Sequence, residues 1–187
     1  MPTITKIEII DLNIPFNHPF KIALAVMNSA HNIIVRVHDS DGLIGVGEGV
    51  PSRFVTGEDA DNGFESAKMY AQILIGKNPL EIDTRLHELE TFMLKNPAIR
   101  CAYDLALYDL LAKHAELPLY ALLGGTKQVL YSNRTIGIDA PDKMAQTAKQ
   151  HVENGVKVLK VKVGTGRVDD IARIRTIRES VGGGVPM

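Results

Sequence analysis

Two lysines in one short apolar run, Lys160-Val161-Lys162, are the residues whose type and spacing most directly suggest chemistry. They sit in Val156-Lys157-Val158-Leu159-Lys160-Val161-Lys162-Val163, a β-branched stretch that reads as a strand. Side chains alternate along a strand, so Lys160 and Lys162 share one face while Leu159, Val161 and Val163 take the other. In a parallel sheet covered on both sides, the lysine face is interior. An ammonium group there is costly unless it is paired or loses its proton. Desolvation and a second nearby cation both lower a lysine's pKa, which yields an amine able to act as a base near neutral pH. Lys162 lies nearer the C-terminal end of the strand, where α/β barrels keep their chemistry. A solvated edge strand also tolerates lysines, so the pattern alone leaves both readings open.

Other candidates carry less. Gly164-Thr165-Gly166-Arg167 follows the strand and precedes a helix, as phosphate-binding turns do. It lacks the third glycine of a dinucleotide fingerprint, and no Gly-Lys-Ser/Thr follows. An ordinary strand-to-helix loop is the better reading. Gly45-Val46-Gly47-Glu48-Gly49 has three alternating glycines, which implies close backbone approach or a bulge. Glu48 reads as a structural carboxylate. No two histidines have the i, i+4 spacing of a helical zinc pair. Cys101 is expected to be a small core residue. Asp104 and Asp109 do not share a helical face, and no metal is assigned to them.

The elements that must position the lysines follow from periodicity. Residues 4–12, 32–37 and 43–47 read as three strands of an antiparallel meander, with Asp39-Ser40-Asp41-Gly42 as turn chemistry. Residues 15–30 and 51–61 read as irregular loops. Helical patterns cover 62–75, 80–94 and 98–115. A sheet followed by helices is an α+β arrangement. The pattern then changes to strand (130–138), helix (141–154), strand (156–163) and helix (168–181), with Ile171, Ile174 and Ile177 on one helical face. That alternation belongs to parallel α/β structure. The expected division is an α+β domain over 1–125 and the start of a (β/α) barrel over 126–187, the barrel incomplete.

Composition limits the function classes. With 21 basic and 22 acidic residues the net charge is -1, which gives no attraction to nucleic acid or an anionic membrane. One cysteine excludes an internal disulfide framework and fits a reducing, cytoplasmic setting. No apolar run approaches the ~18–20 residues of a membrane span. Hydrophobic residues make up 45%, enough for a sizeable core.

Four motifs, in order, resemble the enolase superfamily in its muconate-lactonizing-enzyme subgroup. Pro19-Phe20-Lys21-Ile22-Ala23-Leu24 is similar to the mobile loop after the first strand, and Gly45-Val46-Gly47-Glu48 to the end of the capping meander. Leu117-Pro118-Leu119-Tyr120-Ala121-Leu122-Leu123-Gly124-Gly125 resembles the segment leading into the barrel, and Lys160-Val161-Lys162 the Lys-x-Lys motif of the second barrel strand. Within the subgroup, Phe54-Val55-Thr56-Gly57-Glu58 resembles the second capping loop of dipeptide epimerases, and residues 131–138 their first barrel strand, with Thr135 facing the site.

The resemblance implies an α+β capping domain followed by the first βα units of a TIM-type barrel. It implies an isomerase, a racemase or epimerase, that removes the proton α to a carboxyl or carbonyl group while Mg²⁺ holds the resulting enolate. That chemistry is the superfamily's established pattern, not a deduction from these residues. Lys162 is then one acid/base group and Lys160 its deeper neighbour. The family's metal ligands lie at the ends of the third to fifth barrel strands, so none is implied in this chain, and the chain by itself is expected to be inactive. Dipeptide epimerases that act on Ala-Glu carry an arginine where this chain has Ala25. An apolar dipeptide is therefore the expected substrate, with Ile22, Ala25, Phe54 and Val55 as pocket walls. Related activities (o-succinylbenzoate synthase, N-succinylamino acid racemase, muconate cycloisomerase) share the Lys-x-Lys motif and stay open, as does a non-catalytic binding or assembly module. The expected partner is a dipeptide or other small carboxylate, with homo-oligomer formation left open.

Overall fold

A computed structural model describes residues 1–187. The element order is β1 (Ile4–Lys21), β2 (Val26–Asp39), β3 (Ile44–Gly49), α1 (Ala60–Leu74), α2 (Ile82–Phe92), α3 (Pro97–His114), α4 (Leu119–Leu122), β4 (Asn133–Ile136), α5 (Pro141–Glu153), β5 (Val158–Val161) and α6 (Arg167–Val181). Two compact units result. One comprises Met1–Ile14 with Ala30–Lys127, the other Pro15–Ser29 with Gln128–Met187. No helix is long and apolar enough to cross a membrane.

The first unit is the α+β part. Its sheet has the order β1-β2-β3, with β2 and β3 antiparallel in the register Val35↔Gly47. Ile33, Val35 and Val37 alternate inward along β2 and are fully buried. Their neighbours on β3 are Gly49, Gly47 and Gly45. Those glycines let α3 settle directly on the strand. A Cβ at Gly45, Gly47 or Gly49 would run into the backbone carbonyls of Ala106, Ala102 and Ala98, respectively. Two residues of strand thus match one turn of helix, and alanines face glycines along the seam. Tyr70 and Tyr103 meet edge to face at 5.8 Å between centroids, and the Tyr103 hydroxyl donates to the Ala67 carbonyl at 2.6 Å. Burial pushes the Tyr103 phenol far above its ordinary value.

The expectation of an irregular loop over 15–30 is not met. β1 and β2 run on through that segment, leaving only four residues between them, closed by the Ile22 amide donating to the Ala25 carbonyl at 2.9 Å. Pairing of β1 with β2 overrides the two prolines here, Pro15 and Pro19, which an edge strand accommodates. The four-residue turn keeps the tip in the second unit, while the base of the hairpin stays in the first.

In the second unit β4 and β5 pair in parallel, with Thr135 opposite Lys160 and Ile136 opposite Val161. Helices α5 and α6 bury one face of this pair through Ile136, Leu159, Met144, Ala148 and Ile177. The strands are shorter than their sequence patterns, four residues each. Ile177 is fully buried, but Ile171 of the same expected stripe is 49% exposed. It lies in the first part of α6, outside the apolar cluster formed by the helix's later turns. The Pro186 carbonyl accepts from the Leu159 amide at 2.9 Å. Odd-numbered amides of β5 point away from β4, so residues near 186 lie along the other edge of β5.

Candidate active site

The parallel register decides which side chains share a face. Thr135 and Lys160 are Cα partners, and Lys162 follows two residues after Lys160. Paired residues of parallel strands point the same way. Thr135, Lys160 and Lys162 therefore occupy the face opposite the α5–α6 core, which holds Ile136 and Leu159. Lys162 stands one residue past the end of β5, yet its amide still donates to the Ile136 carbonyl at 3.0 Å. The backbone beneath it is thus fixed by the ladder. The tip of the β1–β2 hairpin reaches the same end of β4, where the Ile138 amide donates to the Lys21 carbonyl at 2.8 Å. Ile22 and Ala25, the first and last residues of the tip turn, are half-buried.

Phe54 and Val55 belong to the first unit. They project from the turn over 52–57, exposed by 59% and 84%. The base of that turn is well tied. The Ser52 carbonyl accepts from the amides of Val55, Thr56 and Gly57 at 2.9–3.2 Å. Directly after it come two adjacent carboxylates that cap two different helices. Glu58, buried, takes the Ala98 amide of α3 on both oxygens at 3.1 Å. Asp59 takes the Asn62 amide of α1 at 3.0 Å, which holds its carboxyl below the ordinary range. Sequence reasoning placed Glu58 in a capping loop and missed both caps. Asp59 could have been found from its position before a helical pattern. Glu58 could not, since its helix lies forty residues on.

The glycine turn after β5 is not an anion site. The Gly164 amide donates to the Asp170 carboxylate at 2.8 Å, so the turn carries its own anion. Gly164 and Gly166 have φ of 120° and 147°, which only glycine adopts without strain. Glu48 accepts from Asn32 at 2.6 Å, and Asp109 from the Val46 amide and Lys113 at 2.8 and 2.7 Å, all within the first unit. Three histidines serve paired carboxylates: His31 with Asp11, His38 with Glu8 and His114 with Asp39. Cys101 is exposed rather than a core residue. Helix α3 turns its alanines to β3, which leaves Cys101 on the side of a groove of about 390 Å³ shared with His87, Arg100 and Asp104. Burial raises the Asp104 carboxyl, one of whose oxygens has no partner.

The first unit supplies the observation that decides kinship. Residues 4–124 match the mandelate racemase / muconate lactonizing enzyme N-terminal domain. The chain belongs to this family. Among curated relatives, a D-Ala-D/L-Ala epimerase of Cytophaga hutchinsonii is 40% identical over 98% of the chain, and a hydrophobic dipeptide epimerase of Enterococcus faecalis is 41% identical over 96%. The L-Ala-D/L-Glu epimerase of Bacillus subtilis is 35% identical over 98%. The solved structure of the Cytophaga dipeptide epimerase, complexed with Mg and D-Ala-L-Val, superposes with a TM-score of 0.95 over 98% of this chain and 50% of its own. That of the Enterococcus enzyme, with Mg and L-Leu-L-Tyr, superposes with 0.93 over 98% and 52%. The chain spans about half the length of the curated family members it matches. It carries the capping α+β part and two parallel strands, with no closed barrel. No three His, Cys, Asp or Glu side chains converge to hold a metal ion. The residues present therefore do not form the magnesium site of those relatives, and no step through the ion is derived from them.

Proposed function

We propose that, in a polypeptide of its relatives' length, this chain is the capping part and first barrel strands of a dipeptide epimerase that acts on apolar dipeptides. The observation carrying the reading is the shared face of Thr135, Lys160 and Lys162 at the C-terminal end of β4 and β5. Lys162, as a neutral amine, takes the proton from the α-carbon of the dipeptide's second residue. Its Nζ gains that proton, and the electron pair moves into the adjacent carboxylate. Return of a proton to the opposite side of the same carbon completes epimerisation, and the group that delivers it lies outside this chain. Lys160, two residues earlier on the same face, is the more exposed of the two lysines and not the buried neighbour the resemblance implies, and it adds a second cation to that face. Acidic residues outside this chain would have to hold the magnesium ion, whose chemistry there would be that of a Lewis acid.

Support for an apolar substrate comes from the hairpin tip. Its turn runs from Ile22 to Ala25 and presents no cation at Ala25 to a side-chain carboxylate. Two relatives named for alanine or hydrophobic dipeptides share 40–41% identity with the chain, against 35% for the L-Ala-D/L-Glu enzyme. The test is α-deuterium incorporation from D₂O with Mg²⁺, comparing L-Ala-L-Ala, L-Leu-L-Tyr and L-Ala-L-Glu. Exchange strongest for the apolar pairs and lost in Lys162→Ala supports the reading. Preference for L-Ala-L-Glu, or exchange that survives Lys162→Ala, overturns it.

A further inference from the structure

We propose that Arg173 and Asp170 are positioning residues that fix the path of the chain leaving Lys162, an inference that rests on the acid–base role proposed above for that lysine. Beyond Lys162 the chain enters Gly164 and Gly166, both with positive φ, a conformation that glycine adopts without strain. Ladder bonding ends at the Lys162 amide. What next holds the chain is the Gly164 amide, donating to Asp170 Oδ2 at 2.8 Å. Asp170 Oδ1 in turn accepts from Arg173 Nη1 at 2.9 Å, and the same nitrogen donates to Thr165 Oγ1 at 2.5 Å. The other arm of the guanidinium, Nε, donates to the Asp139 carbonyl at 2.9 Å. Asp139 follows Ile138, whose amide holds the hairpin tip through the Lys21 carbonyl. One planar, permanently charged group thereby ties the loop after β4 to the loop after β5.

The pair is well sheltered, its side chains being 12% and 19% exposed. Burial acts against the Asp170 carboxylate, but the Gly164 amide, Arg173 and the amides of Gly166 and Thr165 together hold it below its ordinary range. Lysine cannot replace this arginine, because one ammonium on a flexible stem does not span three acceptors set in a fork. The consequence lies at Lys162. A base displaced by ~1 Å can lose about 10²-fold in rate, so the loop that sets its exit direction matters to chemistry without touching substrate.

The test uses the 187-residue chain with Arg173→Met, Arg173→Lys and Asp170→Asn. Residue-resolved amide exchange by NMR reads the loop, and ¹³C-methylated lysine resonances read Lys160 and Lys162 through a pH titration. Expected in Arg173→Met is exchange at Gly164 and Thr165 faster by about tenfold or more, with Ile136 and Leu159 unchanged. The Lys162 resonance shifts its midpoint while Lys160 does not, and Arg173→Lys fails to restore either. Unchanged exchange at Gly164, or equal shifts at both lysines, overturns the proposal. Should Arg173→Met not fold, Arg173→Lys and Asp170→Asn carry the same two readouts. Loosened amides and a moved Lys162 midpoint, with no α-proton exchange in a polypeptide of the relatives' length, would leave the clamp standing and remove the reaction assigned to it.

Discussion

Thr135 and Lys160 are direct partners across the parallel ladder of β4 and β5, each on the face that the helices leave uncovered. Their pairing carries the functional reading further than either residue alone. A lysine on an edge strand is unremarkable. A lysine register-matched to a threonine, with a second lysine two residues on at the strand's C-terminal end, is a set of polar groups converging where parallel α/β folds place chemistry.

That convergence gives the first prediction. In a polypeptide of the relatives' length, Lys162→Ala lowers α-proton exchange by roughly 10²–10⁴-fold, the usual contribution of a positioned acid–base group. Lys160→Ala lowers it less, because Lys160 is not the group that takes the proton. Exchange rates of both variants check this. Equal effects would deny the two lysines separate roles.

A second prediction concerns the seam between β3 and α3. Gly47 has no positive φ, so Gly47→Ala tests space alone. Its new methyl meets the Ala102 carbonyl and Ala106 amide, both backbone atoms that cannot swing aside. The helix must lift, and stability falls by about 1–3 kcal/mol, as for other overpacked cores. Gly42→Ala, at a turn with open space around it but φ of 83°, costs only about 1 kcal/mol of backbone strain. Urea midpoints of the two variants separate crowding from strain.

Much of this was legible in the sequence, for a physical reason. Alternation in Val156–Val163 gave the two faces of β5, and the Gly-x-Gly-x-Gly run announced close approach, because both are local consequences of periodicity. What stayed hidden depends on partners far along the chain. Residues 15–30 have prolines and no clean alternation, yet they extend because β1 and β2 pair. Cys101 turned outward because α3 spends its small residues, Ala98, Ala102 and Ala106, on the glycine strand. The bond from Glu58 to Ala98 and the fork from Arg173 to Asp139 span separations that no local window contains.

The third prediction follows from Glu58. Glu58→Ala leaves the buried Ala98 amide without an acceptor and removes a negative charge from the start of α3. A loss of about 1–3 kcal/mol is expected. Glu58→Gln keeps an accepting oxygen and loses less. Asp59→Ala removes only the α1 cap, worth ~1 kcal/mol. Urea denaturation should rank the three in that order, and a larger loss for Asp59→Ala than for Glu58→Ala would contradict the assignment.

Glu8 makes stability depend on acid. Hydrogen bonds from Lys6 and then His38, with Arg36 nearby, hold its carboxyl down at about 2 against an ordinary value of 4.5. A carboxyl depressed in the folded state contributes stability that is complete above pH 4.5 and is lost as pH falls toward 2. The thermal midpoint of Glu8→Gln should therefore lie below that of the parent at neutral pH. The gap should close between pH 4.5 and about 2. A gap that does not narrow over that range would mean that Glu8 acts through packing instead of charge.

The last prediction concerns the substrate. Ala25 closes the hairpin turn opposite Ile22, half-buried, in the unit that carries Thr135 and the two lysines. A guanidinium at this position supplies donors for a carboxylate, and charge-assisted bonds of that kind are about twice as strong as neutral ones. In a polypeptide of the relatives' length, Ala25→Arg should raise kcat/KM for L-Ala-L-Glu relative to L-Ala-L-Ala by about tenfold or more, equivalent to ~1.4 kcal/mol of differential transition-state binding. The gain should shrink at high salt, because the tip turn is partly open to solvent. Isosteric lengthening without charge, Ala25→Met, should leave the ratio unchanged or favour the apolar pair. A ratio that moves equally in both variants would trace selectivity to the size of the side chain at 25, and a ratio that moves in neither would place the selecting group elsewhere, with Phe54 and Val55 the next positions to vary.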